Sequence, residues 1–174
     1  MLITLDPPEH TVMRKLVSRV FTPRGVAAME AETRRIVGGY LDRCVDRGEC
    51  DLVADVTGPF PMDVISAVLG VPEADRPALR VHADRILVRD DGSMQIPAEA
   101  LEGFAALVGY FADELPRRRE GKGEGLVTEL AGIDVDGRRL TDMEVLGFCI
   151  LFIIAGHETT TKMVANAVEL LSRH

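Results

Sequence analysis

From Thr141 to His174 the sequence contains no proline, and Gly156 is the expected weak point in an otherwise helical stretch. A helix of that extent is about 50 Å long at 1.5 Å per residue, enough to cross a whole domain. Thr141-Asp142-Met143-Glu144 supplies a capping box, in which the Thr hydroxyl and the Glu carboxylate each satisfy a backbone donor. The apolar run Val145 to Ala155 is shorter than the roughly 18 residues of a membrane span, and His157-Glu158 follows directly. A buried central helix with other helices packed around it is therefore expected, and no membrane partner.

The rest of the chain divides into shorter helical pieces. Asp6-Pro7-Pro8-Glu9 reads as a helix start, with Asp6 as cap and prolines in the first turn, followed by Met13, Leu16, Val17 and Val20 at helical spacing. Thr22-Pro23 opens a second helix to about Arg47, and Gly48 to Val53 reads as a turn with a short extended piece. A third helix follows Gly58-Pro59 and stops at Gly70-Val71-Pro72. Ala74 to Arg89 and Ala98 to Glu120 are further helices, joined by a polar loop from Asp90 to Pro97. Gly121 to Gly125 is the most linker-like stretch, Leu126 to Ala131 adds a helical turn or two, and Asp134 to Arg138 suggests a tight turn. The fold class is mainly α, with orthogonally packed helices around the long central one and little β.

Charge and cysteine content narrow the function. Twenty Lys+Arg against 28 Asp+Glu leave a net charge of −8 in 174 residues, so neither nucleic acid nor an anionic membrane is favoured as a partner. Three cysteines, Cys44, Cys50 and Cys149, have no metal-ligand spacing and form no disulfide framework, which suits a reducing cytoplasmic setting.

Two places combine polar chemistry with an apolar frame. In Ala155-Gly156-His157-Glu158-Thr159-Thr160 an apolar helix abruptly presents a glycine, an acid and two hydroxyls. Thr159 can bond back to the Ala155 carbonyl and bend or open the helix, and Gly156 permits close approach by another group. Glu158 could then relay protons while a Thr hydroxyl holds water or a bound oxygen species. A structural Gly/Thr kink beside an exposed Glu is the competing reading. His10 and Arg14 share one side of the first helix and border its apolar arc, whereas Lys15 and Arg19 fall on the solvent side as a small cationic strip suited to an acidic partner. A boundary histidine, a snorkelling arginine and a solvated face would account for the same residues.

Leu5-Asp6-Pro7-Pro8-Glu9-His10-Thr11 through Phe21-Thr22-Pro23-Arg24 resembles the C-helix segment of soluble bacterial cytochromes P450, and Ala155 to Thr160 resembles that family's oxygen-binding I-helix motif. Phe60 to Ile65 with Leu69-Gly70-Val71-Pro72 is similar to the E-helix segment. The resemblance implies the central C-to-I part of the P450 fold over residues 1–174 and haem b as cofactor. His10 and Arg14 would contact haem propionates. Ala155, Gly156 and Thr159 would border haem and oxygen, and Glu158 with Thr159 would be the catalytic acid–alcohol pair that delivers protons. Leu151, Ile154 and Ala155 would touch an apolar small-molecule substrate, the helices at 74–89 and 98–120 would form a lid, and Lys15 and Arg19 would dock a ferredoxin-type partner.

The family's cysteine-ligand motif, its ExxR segment and its N-terminal sheet are absent from these residues, so no metal ligand is assigned. The expectation is a partial chain that is inactive alone, with Val145 to Ala155 poorly buried. When complete it would hydroxylate or epoxidise its substrate with dioxygen. The alternative is a haem-free P450-like scaffold that supports a partner enzyme such as a glycosyltransferase.

Overall fold

The computed structural model describes residues 2–18, 21–89, 92, 95–135 and 137–174. Among these residues eight α-helices follow in order: α1 (Glu9–Ser18), α2 (Pro23–Ala28), α3 (Glu30–Arg47), α4 (Pro59–Leu69), α5 (Arg76–Leu87), α6 (Ala98–Arg119), α7 (Leu126–Gly132) and α8 (Asp142–Ser172). Two-residue strands β1 (Asp134–Val135) and β2 (Arg138–Arg139) pair antiparallel as a hairpin in place of a simple turn. Asp136, within that turn, lies outside the described residues, as do Asp90, Asp91, Ser93 and Met94 of the polar loop.

α8 is the axis of the fold, packed against α4, α6, α7 and the turn that precedes α4. Its capping box forms: the Glu144 amide donates to Thr141 Oγ1 at 3.3 Å, and the Thr141 amide donates to Glu144 Oε2 at 2.8 Å. Val145, Leu146, Phe148, Cys149, Ile150 and Ile153 are buried. The expectation of a poorly buried Val145–Ala155 run is thus corrected for these six residues, which α4, α6 and α7 cover, whereas Leu151, Phe152 and Ile154 are half-buried and Ala155 is exposed. Exposure is concentrated beyond it, at Met163, Val168, Leu170 and Leu171. By length and composition alone, Leu52–Leu69 and Asp142–Ser172 could each cross a membrane. The buried side chains of α8 instead join one core with Leu16, Met62, Leu69, Leu107, Phe111 and Leu130.

Other local expectations change for identifiable reasons. α1 starts at Glu9, after the two prolines, and Asp6 accepts through its main-chain carbonyl from the His10 amide at 3.0 Å. The second helix is two: Thr22 Oγ1 caps α2 by accepting from the Gly25 amide, and a tightened turn at Met29, whose amide bonds to Val26, separates α2 from α3. Leu52–Thr57 is not extended but coils as a π-helical turn, because the Asp51 carboxylate accepts from the amides of Val53 and Ala54, both at 2.9 Å.

The Gly121–Gly125 stretch is exposed from Gly121 to Glu124 but is tied down at Glu124 and Gly125, so it is not a free linker. Arg118, 5% exposed, donates to the carbonyls of Gly70 and Glu124, each at 2.7 Å, and pairs with Glu114. Gly125 has φ +90°, and a Cβ there would lie 2.5 Å from the Gly70 amide nitrogen. Glycine is required here by conformation and by the close approach of two backbones.

Replacing Arg118 with Met should lower unfolding free energy by about 3 kcal/mol, since the Gly70 and Glu124 carbonyls lose their donor and Glu114 loses the buried one of its two arginine partners. Arg117→Ala, which removes only an exposed ion pair with Glu114, should change it by less than about 1 kcal/mol in the same urea titration. Burial also pushes the Cys149 thiol up to about 12. At pH 8 the exposed Cys50 should therefore alkylate while Cys149 reacts only after unfolding, which mass spectrometry of iodoacetamide-treated protein would show.

Candidate functional site

α8 presents different faces to different neighbours over the single turn from Ala155 to Thr159. Residues advance by about 100° each around a helix, so Leu151, Ile154 and Ala155 share an arc of about 100°, with Thr159 at its border. Ala155 and Thr159 are exposed, and Leu151, Phe152 and Ile154 are half-buried. Together they form an open, mostly apolar strip with one hydroxyl.

The hydroxyl of Thr159 donates to the Ala155 carbonyl at 2.6 Å, and that of Thr161 donates to His157 at 3.0 Å. The helix nevertheless runs unbroken through Gly156. The expected opening does not occur, because these back-bonds supplement the main-chain ladder without replacing it. With its proton committed to the backbone, Thr159 offers lone pairs to a group on the open strip.

Gly156 points elsewhere. A Cβ there would meet the side chain of Ile65 on α4 at 3.3 Å, so the close approach expected of this glycine is one between helices. Glu158 is partly exposed and paired with Lys162 one turn later. It opens onto a cleft of about 480 Å³ whose far wall includes Arg80 and Asp84 of α5. His157, between them in sequence, is buried, and its Nε2 lies 2.8 Å from Asp84 Oδ1. Sequence reasoning passed over this contact. The available signal was that His157 continues the buried series Ile150, Ile153 at helical spacing, and a histidine on such a face needs a partner.

α1 lies beside the first half of α8. Met13 and Phe148 line a common cavity of about 280 Å³, and the chain after α1 brings the Phe21 ring to 5.2 Å from that of Phe152. Met13, Leu16 and Val17 are buried as the spacing predicts, while Val20 lies outside the described residues. His10 is half-buried, but Arg14 is exposed and not inward-facing. The α1 core is filled by the three apolar side chains, which leaves Arg14 on its solvated flank. Lys15 is exposed, and Arg19 lies outside the described residues. All three cysteines are free, and no cluster of metal-ligating side chains occurs among the described residues.

No protein-family model matches this chain. Individual proteins do. The chain is 39% identical over 173 residues to the putative cytochrome P450 123 of Mycobacterium tuberculosis, covering 99% of this chain and 43% of that protein. It is 39% identical over 176 residues to the cytochrome P450 monooxygenase PikC of Streptomyces venezuelae, covering 99% and 41%. Its fold superimposes on the crystal structure of the LnmA cytochrome P450 hydroxylase of Streptomyces atroolivaceus with a TM-score of 0.90 at 34% identity, covering 98% of this chain and 44% of that one. The chain thus spans less than half the length of the relatives it matches. Sequence and helix arrangement agree across that span, and the chain belongs to the cytochrome P450 family.

Proposed function

We propose that this chain supplies the distal wall and propionate contacts of a haem-thiolate monooxygenase that hydroxylates or epoxidises an apolar small molecule. The observation that carries this reading is the open strip on α8, where exposed Ala155 and Thr159 stand beside Leu151 and Ile154 while Gly156 and His157 of the same turn are committed to packing. A small side chain flanked by apolar ones accepts a flat macrocycle, and the Thr159 lone pairs stand where a polar ligand hydrogen would be held. His10 and Arg14 form no side-chain hydrogen bond or ion pair among the described residues, which leaves both free for carboxylates.

The three cysteines do not fit the iron. Cys149 is six residues before Ala155, about 120° away around the helix, and its side chain is fully buried. Cys44 and Cys50 lie at and beyond the end of α3. This chain's contribution is therefore the distal and propionate side only.

Bound haem supplies the redox chemistry that activates dioxygen. The chain's own residues bind and move protons. Glu158, open to the cleft and neutralised by Lys162, holds a proton acceptor near solvent, and Thr159 positions the hydrogen-bonded group on the strip. Leu151, Ile154 and Ala155 offer the substrate an apolar surface that excludes water. Lys15, exposed on α1, presents a positive charge to an acidic ferredoxin-type electron donor. Such an enzyme belongs in the cytoplasm, where the donor and a reducing environment coexist.

A chimera in which this chain replaces the matching segment of PikC tests the reading. It should bind haem and give the carbon-monoxide difference band of a thiolate-ligated iron. Thr159→Ala in that chimera should keep the band but divert reductant to hydrogen peroxide, and Glu158→Gln should slow reductant consumption about 10²-fold. A chimera that folds by circular dichroism yet takes up no haem would support the scaffold alternative. Haem uptake with both variants unchanged would remove the assigned roles of Glu158 and Thr159.

A further inference from the structure

Among the described residues two arginines are more than nine-tenths buried, and their surroundings differ. Arg118 donates to two carbonyls and pairs with Glu114. Arg76, 8% exposed at the first position of α5, donates from Nε to the Val71 carbonyl at 3.3 Å and forms no ion pair among the described residues. Its two terminal amino groups have no acceptor among them either. A guanidinium keeps its charge when buried, so burying one without a counter-charge is strongly unfavourable.

Arg76 lines a cavity of about 220 Å³ between α3, α4 and α5. Half-buried Arg80, one turn along α5 on the same side, lines it too, and so does Arg43 of α3, whose guanidinium is held 4.2 Å over the Tyr40 ring. Neither forms an ion pair among the described residues. Arg35 is a fourth cation in the wall, already held by Glu32 through bonds of 2.7 and 2.8 Å. Two acids face these charges. Asp63 of α4 accepts from the Tyr40 hydroxyl at 2.6 Å, and Glu73, in the turn before α5, is exposed. Neither acid pairs with an arginine among the described residues. Burial and the bond to Asp63 push the Tyr40 phenol up to about 12, so the ring adds no negative charge. Cations outnumber acids four to two in this lining, within a chain of net charge −8.

We propose that this cavity binds a phosphate group, free or at the end of a phosphomonoester, with Arg43, Arg76 and Arg80 as its ligands. The three guanidinia belong to two different helices, so an anion that joins them must accept in several directions. A planar carboxylate is matched by a single guanidinium fork, whereas a tetrahedral phosphate offers more oxygens and two charges. The cavity is smaller than the roughly 300 Å³ at which pockets for drug-sized ligands begin, so it takes a phosphoryl group and leaves a nucleoside outside. It shares no lining residue with the open strip of α8 and does not rest on the monooxygenase reading.

Calorimetric titration of the 174-residue chain with sodium phosphate, at pH 7.5 and constant ionic strength, tests the site. One saturable site with a Kd on the order of 1 mM or tighter is expected. Phosphate at ten times that concentration should raise Tm by about 3–6 °C relative to chloride at the same ionic strength. Arg43→Gln and Arg80→Gln should each weaken binding about ten-fold, the range of a lost hydrogen bond to a charged group. Glu73→Gln should tighten it about two-fold, and Arg34→Gln, at an exposed position of α3 outside the cavity, should leave it unchanged. Arg76→Met should abolish binding yet keep or raise Tm in phosphate-free buffer, since it removes a buried charge that has no counter-ion there. Glycerol 3-phosphate, used as a second probe, should bind more tightly than phosphate where the ligand is an ester and less tightly where it is the free ion. Absence of saturable phosphate binding, full affinity in both Arg43→Gln and Arg80→Gln, or equal weakening in Arg34→Gln overturns the site. A lowered Tm of Arg76→Met in phosphate-free buffer overturns the role of Arg76 and makes it a structural arginine.

Discussion

Where several helix ends meet inside a protein, their last carbonyls cannot reach water and must find donors. In this chain that problem falls at the end of α6, and two consecutive arginines resolve it. Arg118 turns inward to the carbonyls of Gly70 and Glu124 and so binds the end of α4 to the segment leading into α7. Arg119 turns the other way, donating to Leu140 at 2.6 Å and to Asp142 Oδ1 at 2.8 Å, and also to the Ala131 carbonyl. The start of α8 is thereby fixed relative to α4, α6 and α7. Because helical phase propagates along α8, this anchor also decides which way Ala155 and Thr159 face, about four and five turns from Leu140.

The guanidinium is suited to the task because it offers several donors in a rigid plane and stays charged when buried. A lysine would bring its donors on one nitrogen, whereas the guanidinium reaches the Gly70 and Glu124 carbonyls through two separate nitrogens. The charge itself is balanced locally by Glu114, so the junction carries donors into the interior without an uncompensated ion.

What the sequence made legible follows from how local each cause is. The capping box at Thr141, the buried triplet Met13, Leu16 and Val17, and the back-bond of Thr159 each depend on residues within one helical turn, and the structure contains all of them. Five consecutive residues with three glycines, Gly121 to Gly125, read as linker-like because what Gly123 and Gly125 accommodate is Arg118 and the distant Gly70 backbone. The short extended piece expected within Gly48 to Val53 is missing because the Asp51 carboxylate, by accepting from the Val53 and Ala54 amides, starts the π-helical turn Leu52–Thr57 that packs beneath α8. Asp84 drew no attention at all: an exposed acid on a helix is unremarkable until a buried histidine 73 residues later is found to face it.

The same distinction applies within the motif that carried the family resemblance. As a string, Ala155-Gly156-His157-Glu158-Thr159 looks like one site; as a turn of helix it is a set of divergent directions. Ala155 and Thr159 face the open strip, Gly156 lets Ile65 of α4 close on the helix, His157 reaches α5, and Glu158 opens onto the cleft. A change at Gly156 would therefore act through the spacing of α4 and α8, and a change at His157 through the position of α5, before either reached the strip. The polar chemistry of this helix depends on packing residues interleaved with it, so the boundary between structural and functional positions runs between adjacent residues and not between segments.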